Sequence, residues 1–284
     1  MNYIEAAILG LVQGLCEFLP VSSSGHLVLF QTLFGMQNPD DNALLVVLLH
    51  LATLIAVVVA FRRRIGGMLA ALFRLIGKIF TGKFSWKRAD GNERMVVLVV
   101  ISTLLLVPFV LIQKKIEALF ASLLVVGIAL LVTALMLILA DRISRRRKHS
   151  AGKTAEQATV LDSVVVGLFQ CAALVPGLSR SGSTITGGLV RGFDREFAVE
   201  YSFILSIPAV LGSVILKVKD AAALVQTTTA AQLGPILVAM LVAGLSGYLA
   251  IRLVRLVAKK DRFGAFAYYC AAAGVFAIVY SFIR

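Results

Sequence analysis

Glu17 sits near the end of a short apolar segment, with Gln13 four residues before it and Pro20-Val21-Ser22-Ser23-Ser24-Gly25-His26 just after it. That spacing puts Gln13 and Glu17 on one helix face. A carboxylate in such surroundings is costly unless it lines a wet cavity, pairs with a base or binds a cation. The one basic side chain near it in sequence is His26. Ser22, Ser23 and Ser24 supply hydroxyls, Gly25 a turn, and His26 a titratable ring at the end of an interrupted helix.

Pro176-Gly177-Leu178-Ser179-Arg180-Ser181-Gly182-Ser183-Thr184 is a second constellation, and it reads as an anion cradle. Gly177 and Gly182 let the backbone turn, and Ser179, Ser181, Ser183 and Thr184 can donate hydrogen bonds. The apolar stretch Ile185–Val190 is expected to follow as a helix with its N-terminal amides facing the loop. Arg180 adds a planar fork suited to phosphate oxygens. One carboxylate, one imidazole, one guanidinium and several hydroxyls fit a divalent cation bridging Glu17 and phosphate. Phosphate held by Arg180 beside His26 is equipment for phosphoryl transfer. Set in lipid, it suits an amphiphile with a phosphorylated head and a hydrocarbon tail. Among the remaining polar residues, Glu5 reads as interfacial and His149 as solvated, while His50, inside a span, is equally compatible with a helix-packing role.

The two constellations are one pattern written twice. Gly10, Leu11, Gln13, Ser22, Ser24 and Gly25 match Gly167, Leu168, Gln170, Ser179, Ser181 and Gly182 at one constant offset. Matching helix breaks in an internal repeat point to a binding site in a membrane protein. The copies differ in what carries charge.

The elements that must position these groups are membrane-embedded. The chain of 284 residues is 59% hydrophobic and only 15% charged, with a mean hydropathy of +0.92, outside the range of soluble proteins. Apolar runs at 44–61, 95–112, 119–140, 198–216, 236–256 and 263–283 are each long enough to cross a core of about 30 Å. Met1–Glu5 lacks a basic leader region, so the first apolar stretch is expected in the mature fold. The net charge of +13 is concentrated in three connections: 62–94, 142–156 and 252–262. Charges at the ends of spans read as a positive-inside signal and favour anionic headgroups over nucleic acid. Cys16, Cys171 and Cys270 read as small buried hydrophobes.

With the three basic connections on the cytoplasmic side, Ala6–Leu19 and Val160–Val175 are too short to span before Pro20 and Pro176. Each is expected to be a re-entrant helix–loop–helix element, the first entering from outside and the second from the cytoplasm. The fold class is an all-α integral membrane protein. It is an inverted-topology repeat of about six transmembrane helices and two re-entrant elements. Repeat 1 covers about 1–141 and repeat 2 about 157–284, in one polytopic domain. The two loop tips then meet.

The Gln13–Glu17 pair, the Phe18–His26 run and the Pro176–Thr184 run resemble the undecaprenyl-diphosphate phosphatase family of the bacitracin-resistance type. The likeness extends over essentially the whole chain. It implies hydrolysis of undecaprenyl diphosphate to undecaprenyl phosphate and inorganic phosphate, which recycles the cell-wall lipid carrier and confers bacitracin resistance. It also implies a divalent cation, Mg²⁺ or Ca²⁺, and a bacterial cytoplasmic (inner) membrane with the active site open to the outer face. Glu17, His26, Ser23 and Arg180 would be catalytic, with Glu17 holding the metal. Gln13, Ser22, Ser24, Ser179, Ser181 and Thr184 would bind substrate. The nucleophile is left open among His26, a serine and water, and the assembly between a monomer and a homodimer. Gln13 is an amide where some members carry glutamate, which shifts the burden onto Glu17. The alternative is a lipid-phosphate transporter using the same inverted-repeat site.

Overall fold

The computed structural model describes residues 1–33, 43–146, 152–227, 230–260 and 263–283. Arg147, Lys148, His149 and Arg262 of the basic connections lie outside them. The helices are α1 (Tyr3–Phe18), α2 (Ser23–Leu33), α3 (Ala43–Ala60), α4 (Arg62–Phe80), α5 (Gly91–Leu104) and α6 (Gln113–Ala118). They continue with α7 (Leu123–Arg146), α8 (Val160–Ala172), α9 (Arg180–Val190), α10 (Arg195–Thr227), α11 (Ala230–Lys259) and α12 (Gly264–Ile283). Among the described residues, five stretches pass as membrane spans: Gly91–Ile116, Leu123–Arg146, Arg195–Lys217, Leu233–Lys259 and Gly264–Ile283. The bent pair of α3 and α4 makes a sixth when counted as one span, so the expected all-α polytopic architecture is what forms.

Three helix starts show why the sequence breaks where it does. Asn2, Asp90 and Thr159 each accept from the third helical amide, and Glu5, Glu93 and Asp162 return a bond to the cap. These capping boxes satisfy amides that would otherwise be orphaned. Glu5 is thus a capping residue rather than merely an interfacial charge.

Some expectations change. The connection 62–94 contains a 19-residue helix, α4, bent by 87° from α3. Its arginines hid it in the sequence, because a helix lying across a span's end needs only one apolar face. The run 95–112 is not one regular helix: α5 ends at Leu104, and Val107–Ile112 around Pro108 is 3₁₀. The turn 113–118 is helical, and α8 ends at Ala172, short of Val175.

The three basic connections lie together at one end. Arg94 Nη1 donates to the Glu156 carbonyl, Lys259 is 3.7 Å from Glu196, and Arg195 Nε donates to Ser144 Oγ at 2.6 Å. Buried Asp162 pairs with Lys153 at 2.9 Å and Arg191 at 2.7 Å, which anchors the start of α8 there. Helix α1 starts at the other end, with Tyr3 against Gly234 in the first turn of α11. The two short helices therefore enter from opposite ends, as an inverted repeat requires. Packing repeats accordingly: α1 lies on α11, α8 on α5, α3 on α10 and α7 on α12.

The α1–α11 contact depends on small residues. Gly10 and Gly14 form a G-x-x-x-G stripe that lets α1 meet the α11 backbone at Ala239, Ala243 and Gly247. A Cβ on Gly14 would lie 2.9 Å from the Gly247 nitrogen. Gly14→Val is expected to cost about 1–3 kcal/mol by overpacking and to lower the unfolding midpoint in detergent by several degrees. An unchanged midpoint would contradict this close approach.

Candidate active site

The residues shared by the two copies build two equivalent helix starts. Helix α1 ends at Phe18, and Pro20 prevents its continuation. Ser22 adopts φ 74°, a left-handed conformation that costs free energy for a serine and turns the chain sharply. Its Oγ accepts from the Gly25 amide at 3.2 Å. In the second copy Ser179 caps α9, its Oγ accepting from the Gly182 amide at 3.1 Å. Ser22 Oγ lies 3.3 Å from Ser24 Oγ, and Ser179 Oγ lies 3.3 Å from Ser181 Oγ. Gly177 has φ 89° and a backbone approach to Val126 that no side chain would fit. The helix after the second loop thus starts at Arg180 rather than Ile185, because capping by Ser179 recruits five further residues.

The two tips meet, as expected. The Gly177 amide donates to Ser24 Oγ at 3.5 Å, and Ser181 Oγ donates to the Leu19 carbonyl at 3.2 Å. Ser22, Ser24, Ser179 and Ser181 are therefore engaged in caps and in the seam between the tips.

The residues that differ between the copies converge on one carboxylate. Ser23 and Arg180 are the first residues of α2 and α9. Ser23 Oγ donates to Glu17 Oε2 at 2.7 Å, and Arg180 Nη2 donates to Glu17 Oε1 at 2.6 Å. Gln13 Nε2 adds a bond to Oε2 at 3.1 Å. A carboxylate can only accept, so this contact fixes the Gln13 amide orientation; Gln13 Oε1 is left buried without a partner. The positive ends of two helices also lie beside this carboxylate. Thr184 stands behind Arg180: its hydroxyl donates to the Arg180 carbonyl at 2.9 Å and lies 2.6 Å from Ser202 Oγ. Arg180 Nη1 donates to the Ser202 carbonyl at 3.5 Å.

His26 is not the base beside Glu17. Its Nδ1 lies 2.7 Å from the Ser22 carbonyl and its Nε2 lies 2.7 Å from the Tyr269 hydroxyl, with the rings stacked at 5.4 Å. A carbonyl only accepts, so Nδ1 carries the proton and Nε2 accepts from Tyr269. The ring thereby braces the strained Ser22 turn that aims Ser23. The basic partners of Glu17 are Arg180 and His50, whose Nε2 lies 3.8 Å from Oε2. Packing alone does not describe His50, a titratable side chain inside a span, which is itself a functional signal. Tyr269 and Ser202 carry no such signal in the sequence.

Among the described residues there is no cluster of three or more His, Cys, Asp or Glu side chains placed to hold a metal ion. One carboxylate, with an unpartnered amide oxygen and an imidazole near it, still fits a divalent cation that draws its other ligands from substrate phosphate and water.

The bacitracin resistance protein BacA family matches residues 6–276. The chain is 40% identical over 278 residues to the undecaprenyl-diphosphatase of Methanobrevibacter smithii, covering 97% of this chain and 96% of that one. It is 39% identical over 288 residues to the undecaprenyl-diphosphatase of Desulforapulum autotrophicum, covering all of both. It is 38% identical over 284 residues to that of Carboxydothermus hydrogenoformans, covering 98% and 97%. A likeness of this extent, end to end and through both helix breaks, leaves one reading of its ancestry: this chain belongs to the bacitracin resistance protein BacA family.

Proposed function

We propose that this protein hydrolyses undecaprenyl diphosphate to undecaprenyl phosphate and inorganic phosphate. It does so from the bacterial cytoplasmic membrane, with the site open to the outer face and with Mg²⁺ or Ca²⁺. The observation that carries this reading is the convergence of Ser23, Glu17 and Arg180 at the seam of two broken helices.

In this reading the diphosphate head takes Arg180 from Glu17, and Glu17 holds the cation. Charges exchange partners without any of them being left bare in a low-dielectric site. A cation held by Glu17 would neutralise charge on the phosphate oxygens. Gln13 orients Glu17, Thr184 with Ser202 orients Arg180, and the serine caps present helix amides to the head group. Ser23 Oγ attacks the terminal phosphorus, and its proton passes to Glu17 Oε2, which already accepts it. The bond to the bridging oxygen breaks and undecaprenyl phosphate leaves. Water then attacks the phosphoserine and the P–Oγ bond breaks; Glu17 returns the proton to Ser23 Oγ, and the protons of the water leave with the inorganic phosphate. His26 acts through Ser22 as a positioning residue.

Purified protein in detergent is expected to release phosphate from undecaprenyl diphosphate, and a chelator is expected to stop it. Movement of labelled lipid across sealed vesicles without phosphate release would sink the phosphatase reading in favour of transport. The covalent step has its own check. Rapid quenching with substrate labelled on the terminal phosphate should trap label on wild type and on His26→Ala, and none on Ser23→Ala. Label surviving in Ser23→Ala but lost in His26→Ala would move the attack to the imidazole.

A further inference from the structure

We propose that His50 Nε2 is a second protein ligand, with Glu17, for the divalent cation of this site. The inference rests on the phosphatase reading, which assigns Glu17 the cation. His50 Nδ1 lies 2.7 Å from the Val46 carbonyl one turn back on α3. Because that carbonyl can only accept, Nδ1 carries a hydrogen, which leaves Nε2 as the ring atom that faces the site. A ring held by Nδ1–H to a backbone carbonyl is the usual second tier of support behind a metal-bound histidine.

Nε2 faces Glu17 Oε2 across 3.8 Å. The gap is too wide for a hydrogen bond. Two metal–ligand distances of about 2.1 Å sum to about 4.2 Å, so an ion bent between nitrogen and oxygen fits the gap. Arg180 occupies the other oxygen, Oε1, and a cation approaching from the His50 side shares Oε2 with the Ser23 and Gln13 donors. Gln13, whose Nε2 donates to Glu17 Oε2, has its Oε1 buried with no hydrogen-bond partner. An imidazole ligand also has a purpose in the reaction. When Glu17 takes the Ser23 proton, a site built on that carboxylate alone would lose its ion, whereas imidazole keeps it.

Mn²⁺ is the probe, since it accepts oxygen and imidazole donors alike. The full-length protein in detergent, with one equivalent of Mn²⁺ and inorganic diphosphate, is expected to show a ¹⁴N coupling from imidazole by pulsed electron paramagnetic resonance. The coupling should vanish in His50→Ala and persist in His26→Ala. Mn²⁺ affinity should fall at least about tenfold in His50→Ala. His50→Gln, which keeps bulk and a polar end, should restore part of the affinity without the imidazole signal. Bound Mn²⁺ without nitrogen coupling in wild type, coupling that survives in His50→Ala, or no Mn²⁺ binding at all would each overturn the assignment. Phosphate release by the same wild-type sample separates the two claims: an active enzyme with no imidazole coupling keeps the phosphatase reading and removes His50 from the metal.

Discussion

Glu17→Gln is expected to lower phosphate release from undecaprenyl diphosphate by at least about 10³-fold, combining loss of a proton acceptor with loss of charge stabilisation. The substitution preserves shape but not the pattern of acceptors. Glu17 accepts from Arg180 at Oε1 and from Ser23 and Gln13 at Oε2. An amide turns an NH₂ group toward one of those donor sets, so either Arg180 or the Ser23–Gln13 pair faces a like group. It also removes the carboxylate to which the proposed cation is assigned. Gln13→Glu should by contrast remain active, because a second carboxylate four residues away adds to the hold on the cation. That variant is expected to need less Mg²⁺ for half-maximal activity. Rates measured on monodisperse protein with unchanged helical circular dichroism decide the matter. Near-wild-type turnover in Glu17→Gln would sink the assignment of this carboxylate to the chemistry.

Arg180 supports the second large effect. Arg180→Lys keeps a positive charge beside Glu17 but loses the planar fork, and kcat/KM should drop by about 10²-fold. Arg180→Ala loses the charge as well. It leaves Glu17 buried beside His50 with its strongest partner gone, a change that costs about 3–5 kcal/mol when one member of a buried pair is removed. The alanine variant should therefore lose both activity and thermal stability, and the lysine variant should lose mainly activity. That split distinguishes a grip on phosphate from simple charge balance. Lysine at wild-type kcat/KM would show that Arg180 serves only to neutralise Glu17.

The site was legible in outline because its chemistry-bearing residues sit where an apolar sequence punishes them. Glu17 and Arg180 stand out by charge, and the Ser22–His26 and Ser179–Thr184 runs stand out by repetition. Repetition has a structural reason as well. Among the shared serines, Ser22 and Ser179 cap helices, and Ser24 and Ser181 tie the tips together. What two copies share is what both helix starts need. What they do not share, Glu17 with Ser23 in one and Arg180 in the other, is what meets at the centre.

His50 and Tyr269 were not legible as partners. Each lies on a long apolar helix, and nothing local says which way that helix is turned. Packing of α3 against α10 and α11 brings His50 to Glu17, and packing of α12 against α7 accompanies the meeting of Tyr269 with His26. Helix α4 escaped for a related reason: its charged face looks like a solvated connection until a neighbouring span gives its other face a place.

Composition, span length and the doubled motif by themselves determined a polytopic all-α protein with two broken helices, and they named Glu17 and Arg180. These are properties of local chain chemistry: hydrocarbon thickness sets span length, proline stops a helix, and a charge in lipid needs a partner. Tertiary structure alone decided who the partners are. The pairing of Arg180 with Glu17 spans the repeat, and the placing of His50 depends on the rotation of α3. Both are set by close packing between helices far apart in the chain, which no local pattern encodes.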